Sequence, residues 1–161
     1  MKKLIPISIL LCSVALGSPE SDQDKLFDDA VANAKTEKEK TLAVFEQRIH
    51  RLARKNTDIT EIFRPKDGID QFEAFILSRA YFTQNFGLCG AIELPEKKGD
   101  FWFVDMVVGS AAQSLPPAVI DSRTGRLTCK GHPSVSDALT YLKEFMTPNQ
   151  SSQPTPASRR G

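Results

Sequence analysis

The sequence has few of the side chains on which most metal sites depend. It contains two histidines, His50 and His132, and three cysteines, Cys12, Cys89 and Cys129. Only Cys129 and His132 have the close spacing that nucleates a zinc site, and the other candidates lie singly and far from them. We therefore expect no metal ion and no other cofactor.

Motifs of covalent catalysis are also lacking. Ser122 follows Asp121, but no G-x-S-x-G turn exposes its hydroxyl, and a cysteine nucleophile would have to stay reduced. No pair of carboxylates stands out for glycoside hydrolysis. These absences predict a protein that is not an enzyme, with a small secreted hydrolase as the alternative.

No apolar segment is long enough to anchor the chain in a membrane. The first residues carry two lysines and then an apolar run over residues 4–16, whereas a spanning helix needs about 20 residues. The small residues Ala15 and Gly17 stand where a signal peptidase cuts. We therefore predict a signal peptide over residues 1–17, cleavage between Gly17 and Ser18, and export to the bacterial periplasm or medium without a stable membrane anchor.

The chain has no large excess of charge of either sign. It has 21 basic and 20 acidic residues, and removal of the signal peptide, which carries two basic residues, leaves 19 − 20 = −1. A nearly neutral protein gains little attraction to nucleic acids or anionic lipids. We expect no nucleic-acid partner.

Helical periodicity dominates the first half of the chain. Apolar residues recur at spacings of three and four over residues 22–36 and 38–55, and again over residues 70–86. Asp70 can accept hydrogen bonds from the first amides of this last helix, and Gly87 suits a left-handed C-terminal cap. Its many aromatic side chains predict that it forms the centre of the core.

Beyond Gly87 the apolar period changes to two, which is typical of strands. Strands are predicted over residues 88–94, 101–109, 118–121 and 126–129, with a polar turn at 96–100 and a loop at 110–117 that contains two consecutive prolines. Asp121 and Gly125 have the side chain and the conformational freedom that close the last hairpin. A final short helix follows, with a serine cap at Ser134 or Ser136.

Helices followed by hairpin-linked strands predict one α+β domain. The N-terminal helices are expected to pack on one face of an antiparallel sheet of about four strands, with a short C-terminal helix. Residues 18–37 are assigned to a polar, partly helical segment and residues 38–146 to the domain. Residues 147–161 are rich in Pro, Ser, Thr and Gln, which predicts a disordered tail.

The two cysteines that remain after export are predicted to form a disulfide. Cleavage removes Cys12, and thiols oxidise in the periplasm. We place Cys89 at the junction of a helix and a strand and Cys129 at the end of the last strand, because bridged cysteines need Cα atoms within about 7 Å.

Four short motifs fall within residues 72–135. They are Gly-x-Cys-Gly at 87–90, an aromatic strand at 101–103, Ile-Asp-x-x-Thr-Gly at 120–125 and Gly-His-Pro at 131–133. In these motifs the chain resembles small exported bacterial immunity proteins with NTF2-like or cystatin-like folds. The resemblance implies a protein that binds and neutralises a cognate toxin in the periplasm.

Exposed turns are where binding residues tend to lie. The predicted partner-binding residues are Glu96, Lys97, Lys98, Asp100, Ser122, Arg123 and Arg126. The alternative interpretation is that both turns are merely solvated. A periplasmic adaptor or a peptidase inhibitor is the alternative function.

Overall fold

The computed structural model describes residues 20–54, 58–87, 90–108 and 113–146. The predicted signal peptide with its cleavage site, Cys89 and the predicted tail lie outside these ranges. The described helices and strands are α1 (Glu20–Ala32), α2 (Glu37–Arg54), α3 (Ile59–Ile62), a 3-10 turn (Pro65–Asp67), α4 (Gln71–Phe86), β1 (Gly90–Ile92), β2 (Glu96–Lys98), β3 (Phe101–Val108), β4 (Gln113–Asp121), β5 (Leu127–Cys129) and α5 (Ala138–Met146).

The described strands form one antiparallel sheet with helices packed against it, which confirms the predicted α+β class. The order across the sheet is β1-β3-β4-β5, and β2 pairs with β3 beside β1. The fifth strand, β2, lies in the stretch predicted as a polar turn. Lys98 pairs with Phe101, so Gly99 and Asp100 alone make the turn. Gly99 has a φ of 62°, which suits a two-residue hairpin turn.

Helix α4 lies at the centre of the core, as its aromatic residues predict. Phe75 and Leu77 are completely buried, and Tyr81 is nearly so. They pack in one cluster with the inward residues of the sheet, among them Val104 and Ile120. Burial of each large apolar side chain stabilises the fold by about 1.5–3 kcal/mol.

Helix α4 begins and ends at the predicted residues, but Gly87 has a ψ of −168° and so does not form the predicted left-handed cap. Asp70 accepts a hydrogen bond from the Glu73 amide, and the Glu73 side chain accepts one from the Asp70 amide, which together form a capping box. Gly87 ends the helix with a φ of 83°. A residue with a Cβ is strained in this conformation, so glycine is favoured there.

Strand β4 runs through Pro116 and Pro117, where the sequence predicts a loop. The register between β3 and β4 shifts between Val104 and Met106, so two residues of β4 oppose one of β3. This β-bulge places the missing N–H groups of the prolines where the ladder is already interrupted. The prolines are therefore compatible with a strand inside the sheet.

The N-terminal cap of α5 differs from the predicted serine. The Asp137 carboxylate accepts a hydrogen bond from the Thr140 amide over 3.0 Å. This bond lowers the pKa of Asp137. A carboxylate interacts more favourably than a hydroxyl with the positive end of a helix, because it carries a full charge.

A buried ion pair joins α2 to α4. The Glu46 carboxylate, whose side chain is 5% exposed, accepts a hydrogen bond from the guanidinium group of Arg79. Burial raises the pKa of Glu46, and the charge of Arg79 opposes this shift only in part. The loss of hydration of the carboxylate is therefore the larger effect at this pair.

Replacement of Arg79 by Met should lower the free energy of unfolding by about 3 kcal/mol, because Glu46 is left as an unpaired buried carboxylate. Glu46→Gln should cost about 1 kcal/mol or less, since the amide still accepts from Arg79 without a buried charge. A raised carboxyl pKa means that stability is lost as the pH rises through it, so the deficit of Arg79→Met should shrink on acidification. Urea unfolding at neutral and acidic pH measures the stability of both variants. Equal losses of stability in Arg79→Met and Glu46→Gln at neutral pH would contradict the cost of an unpaired buried carboxylate.

Candidate functional site

The two turns predicted to bind a partner meet at one end of the sheet. The Ser122 amide donates a hydrogen bond to the backbone oxygen of Asp100 over 2.8 Å. The guanidinium group of Arg123 lies 3.0 Å from the Asp100 carboxylate. Residues 96–100 and 122–126 are together called the turn surface.

The loop before α4 packs against the turn surface from the inside. The Ile69 amide donates to the backbone oxygen of Ser122 over 2.6 Å, and the Trp102 indole N–H donates to the backbone oxygen of Ile69 over 2.8 Å. Gly68 has a φ of 86°, and a Cβ at this residue would lie 3.2 Å from the Ser122 oxygen. The backbone of this site is therefore tightly constrained.

The sequence predicts that Ser122 is exposed at the hairpin tip. This prediction is wrong, because Ser122 is only 7% exposed. Its backbone amide and its backbone oxygen both form hydrogen bonds inside the protein, and these bonds keep Ser122 buried. Ser122 is therefore a positioning residue that joins the turns. The other predicted partner-binding residues, Glu96, Lys97, Lys98, Asp100, Arg123 and Arg126, are exposed.

The predicted hairpin turn between β4 and β5 is confirmed. The Asp121 carboxylate accepts hydrogen bonds from the amides of Thr124, over 2.9 Å, and Arg123, over 2.8 Å. These bonds lower the pKa of Asp121. Gly125 closes the turn with a φ of 72°. The carboxylate of Asp121 is thus used to hold the turn in one conformation.

The charged side chains of the turn surface make only weak contacts within the protein. The Lys97 ammonium lies 5.4 Å from the centre of the Trp102 ring. The Lys98 ammonium lies 5.2 Å from the Phe103 ring, in a similar cation–π contact. Such exposed contacts contribute about 0.5–1 kcal/mol. These cations can therefore be recruited by a bound protein at little cost.

A groove lies between the turn surface and the loop before α4. Its volume is about 560 Å³, and its lining includes Lys97, Arg123, Asp67, Asp70 and the indole of Trp102. Charges of both signs and an aromatic ring at one groove can pair with polar and apolar side chains of a bound protein segment.

Cys129 is the last residue of β5, as predicted. Its thiol is buried and lies 3.4 Å from the backbone oxygen of Pro116. Burial raises the pKa of Cys129, and the hydroxyl of Tyr81 opposes this shift. Strand β5 and strand β1, which starts directly after Cys89, are at opposite ends of the strand order. Because Cys89 lies outside the described residues, the disulfide stays a prediction.

Comparisons with known proteins do not assign the chain to a family. No protein-family model, curated protein or solved structure matches it. The likeness to immunity proteins therefore stays a prediction. In the described parts of the chain, no three acidic, histidine or cysteine side chains are grouped so that they could hold a metal ion. None of the helices within the same ranges has the length and apolar character needed to cross a membrane.

Gly68→Ala should destabilise the protein more than Gly131→Ala. Both glycines have a positive φ, which costs about 1–2 kcal/mol once a Cβ is present. Only at Gly68 does the new Cβ also meet the Ser122 oxygen, because a Cβ at Gly131 has nothing within 4 Å. Urea unfolding measures the difference, and amide chemical shifts at Asp100 and Arg123 should change in Gly68→Ala alone. Equal losses of stability would contradict the close contact.

The thiol of Cys129 should be poorly reactive in the folded, reduced protein. We expect iodoacetamide to modify this thiol at least about tenfold more slowly in the folded protein than in the protein unfolded in urea, because the thiol is buried and its pKa is raised. Mass spectrometry after timed quenching measures both rates.

In exported protein that has not been reduced, two free thiols after unfolding would contradict the predicted disulfide between Cys89 and Cys129.

Proposed function

We propose that this chain is an exported, non-enzymatic protein that binds a secreted toxin through the turn surface and neutralises it. The observation that carries the binding part is the junction at Asp100, where the Ser122 amide donates to the backbone oxygen of Asp100 and so joins two separate turns. A surface that is already held in one conformation loses little entropy on association.

Two features of the sequence support the rest of the proposal. The signal-peptide pattern of residues 1–17 supports export. The motifs within residues 72–135 support a toxin as the partner, because they resemble those of exported immunity proteins. Exposed charges such as those of Lys97 and Arg123 favour fast and selective encounter with a protein of complementary charge.

Affinity capture and a growth assay test the proposal together. The exported full chain, recovered from the periplasm of its own bacterium, should begin at Ser18 and bring down a secreted toxin. Its production should restore growth to cells that make that toxin. Lys97→Glu combined with Arg123→Glu should weaken the complex about tenfold or more, since it reverses two charges of the turn surface.

The matched control is Lys25→Glu combined with Lys40→Glu. It changes the net charge by the same amount at exposed positions of α1 and α2, and it should leave the affinity unchanged. Equal weakening by both double variants would contradict the turn surface as the binding site. Recovery of a peptidase instead of a toxin would favour the inhibitor alternative, and turnover of peptide or ester substrates by the pure protein would overturn the non-enzymatic part.

A further inference from the structure

Helix α1 is attached to the rest of the protein through α2. Among the described helices and strands, α2 alone forms an extensive interface with it. The Asp28 carboxylate accepts hydrogen bonds from the side chains of Gln47, over 2.6 Å, and Arg51, over 3.4 Å. The centre of the Phe27 ring lies 4.7 Å from that of the His50 ring. The position of α1 therefore depends on side-chain contacts with one neighbouring helix.

These contacts stabilise the docked position of α1 only weakly. No described side chain of α1 is buried. The side chains of Asp28 and Arg51 are 60% and 56% exposed, so their ion pair contributes little. The Asp24 carboxylate lies 3.6 Å from His50, but the side chain of Asp24 is also largely in water, at 41% exposed. Phe27 is partly buried, and it therefore supplies less apolar burial than the core residues of α4.

Helix α2, in contrast, is anchored in the core and has its own start. The ring of Phe45 lies 5.0 Å from the ring of Phe72 and 5.5 Å from the ring of Phe75, both on α4. The Glu39 amide donates to the Thr36 hydroxyl over 3.1 Å, and the Glu39 carboxylate accepts from the Thr36 amide over 3.2 Å. This capping box begins α2 without any group from α1. Helix α2 can therefore stay folded when α1 is detached.

A detached α1 does not have the means to remain a helix. It is 13 residues long, and isolated helices shorter than about 12–15 residues are marginal in water. Five of its residues are acidic and one is basic. Asp24 and Asp28 are four residues apart, where like charges destabilise a helix. Detachment should therefore be followed by melting, which releases the conformational entropy of the segment.

We infer that α1 is a strap that opens and melts while the rest of the domain stays folded, and that it controls access to the face of α2 formed by Gln47, His50 and Arg51. With the strap closed, the side chain of His50 is only 19% exposed. With the strap open, this face becomes available to another molecule. Moving parts of proteins are drawn from elements of low local stability, and α1 is such an element. The inference does not rest on the proposed toxin partner.

Hydrogen exchange of the exported full chain, labelled with nitrogen-15, tests the opening of the strap. The protection factors of α1 amides such as Asp28 and Val31 should be at least about 100-fold smaller than those of Phe45 and Ile49 in α2. In urea, the amide signals of α1 should change before the fluorescence of Trp102, the single tryptophan of the chain, reports unfolding of the core. Either equal protection of the two helices or coincident urea transitions would overturn the inference.

A pair of variants tests the contacts that close the strap. Asp28→Ala removes the acceptor of Gln47 and Arg51 and should speed the exchange of α1 amides about threefold. Asp29→Ala is the matched control, because it removes the same charge from the next exposed residue of α1 and gives the same gain in helix propensity. It should not speed the exchange. Equal effects of the two variants would overturn the attachment through α2 on which the inference depends.

The two histidines of the chain measure access to the face of α2. Diethyl pyrocarbonate modifies accessible imidazoles, and the exposed His132, which follows β5, serves as the internal reference. Relative to its rate in the unfolded protein, His50 should react at least about fivefold more slowly than His132. Asp28→Ala should raise the rate at His50 about threefold and leave His132 unchanged. Equal relative rates at the two histidines, or no increase at His50 in Asp28→Ala, would overturn the control of access by α1.

Discussion

The carboxylate of Glu73 determines how the loop before α4 is arranged, and the candidate site depends on that loop. It is buried and accepts hydrogen bonds from the amides of Arg64 and Asp70, while the Glu73 amide donates to the Asp70 side chain. The bonds from the Asp70 and Glu73 amides satisfy groups that the start of a helix would otherwise leave without partners. The bond from the Arg64 amide holds the start of the loop. Ile69 lies inside the loop that they fix, so its amide and oxygen are held against the β4–β5 turn and the Trp102 indole. The same carboxylate thus begins the central helix and positions the turn surface.

The bulge in β4 gives the sheet its two distinct faces. Met106 pairs with Leu115 and Val104 pairs with Ala118, so Leu115 and Ala118 both turn inward although they are an odd number of residues apart. A regular strand would reverse the direction of every side chain beyond the prolines. Val119 would then point into the core instead of lying beside its partner Phe103 on the opposite face of the sheet. The two prolines are therefore part of what orients the last residues of β4.

Features that depend on neighbouring residues could be predicted from the sequence. The turn from Asp121 to Gly125 and the ends of α4 follow from a few side chains close together in the chain. The burial of Ser122 could not be predicted, because it depends on backbone groups of Ile69 and Asp100, which are far away in sequence. The tryptophan indicates that an acceptor for its indole N–H is needed in the core, but not that Ile69 provides it. Contacts between distant segments are thus what the sequence pattern omits.

Two edge strands of the sheet, β2 and β5, are poorly suited to binding by addition of another strand. At the β5 edge, the amide and the oxygen of Leu127 are both bonded to Val135. At the β2 edge, Pro95 lacks an N–H group and is followed by charged residues, which protect exposed strands from pairing with other chains. Few free backbone groups are therefore offered at these edges. The side chains of the turn surface, which are mostly charged and exposed, are more accessible to another molecule.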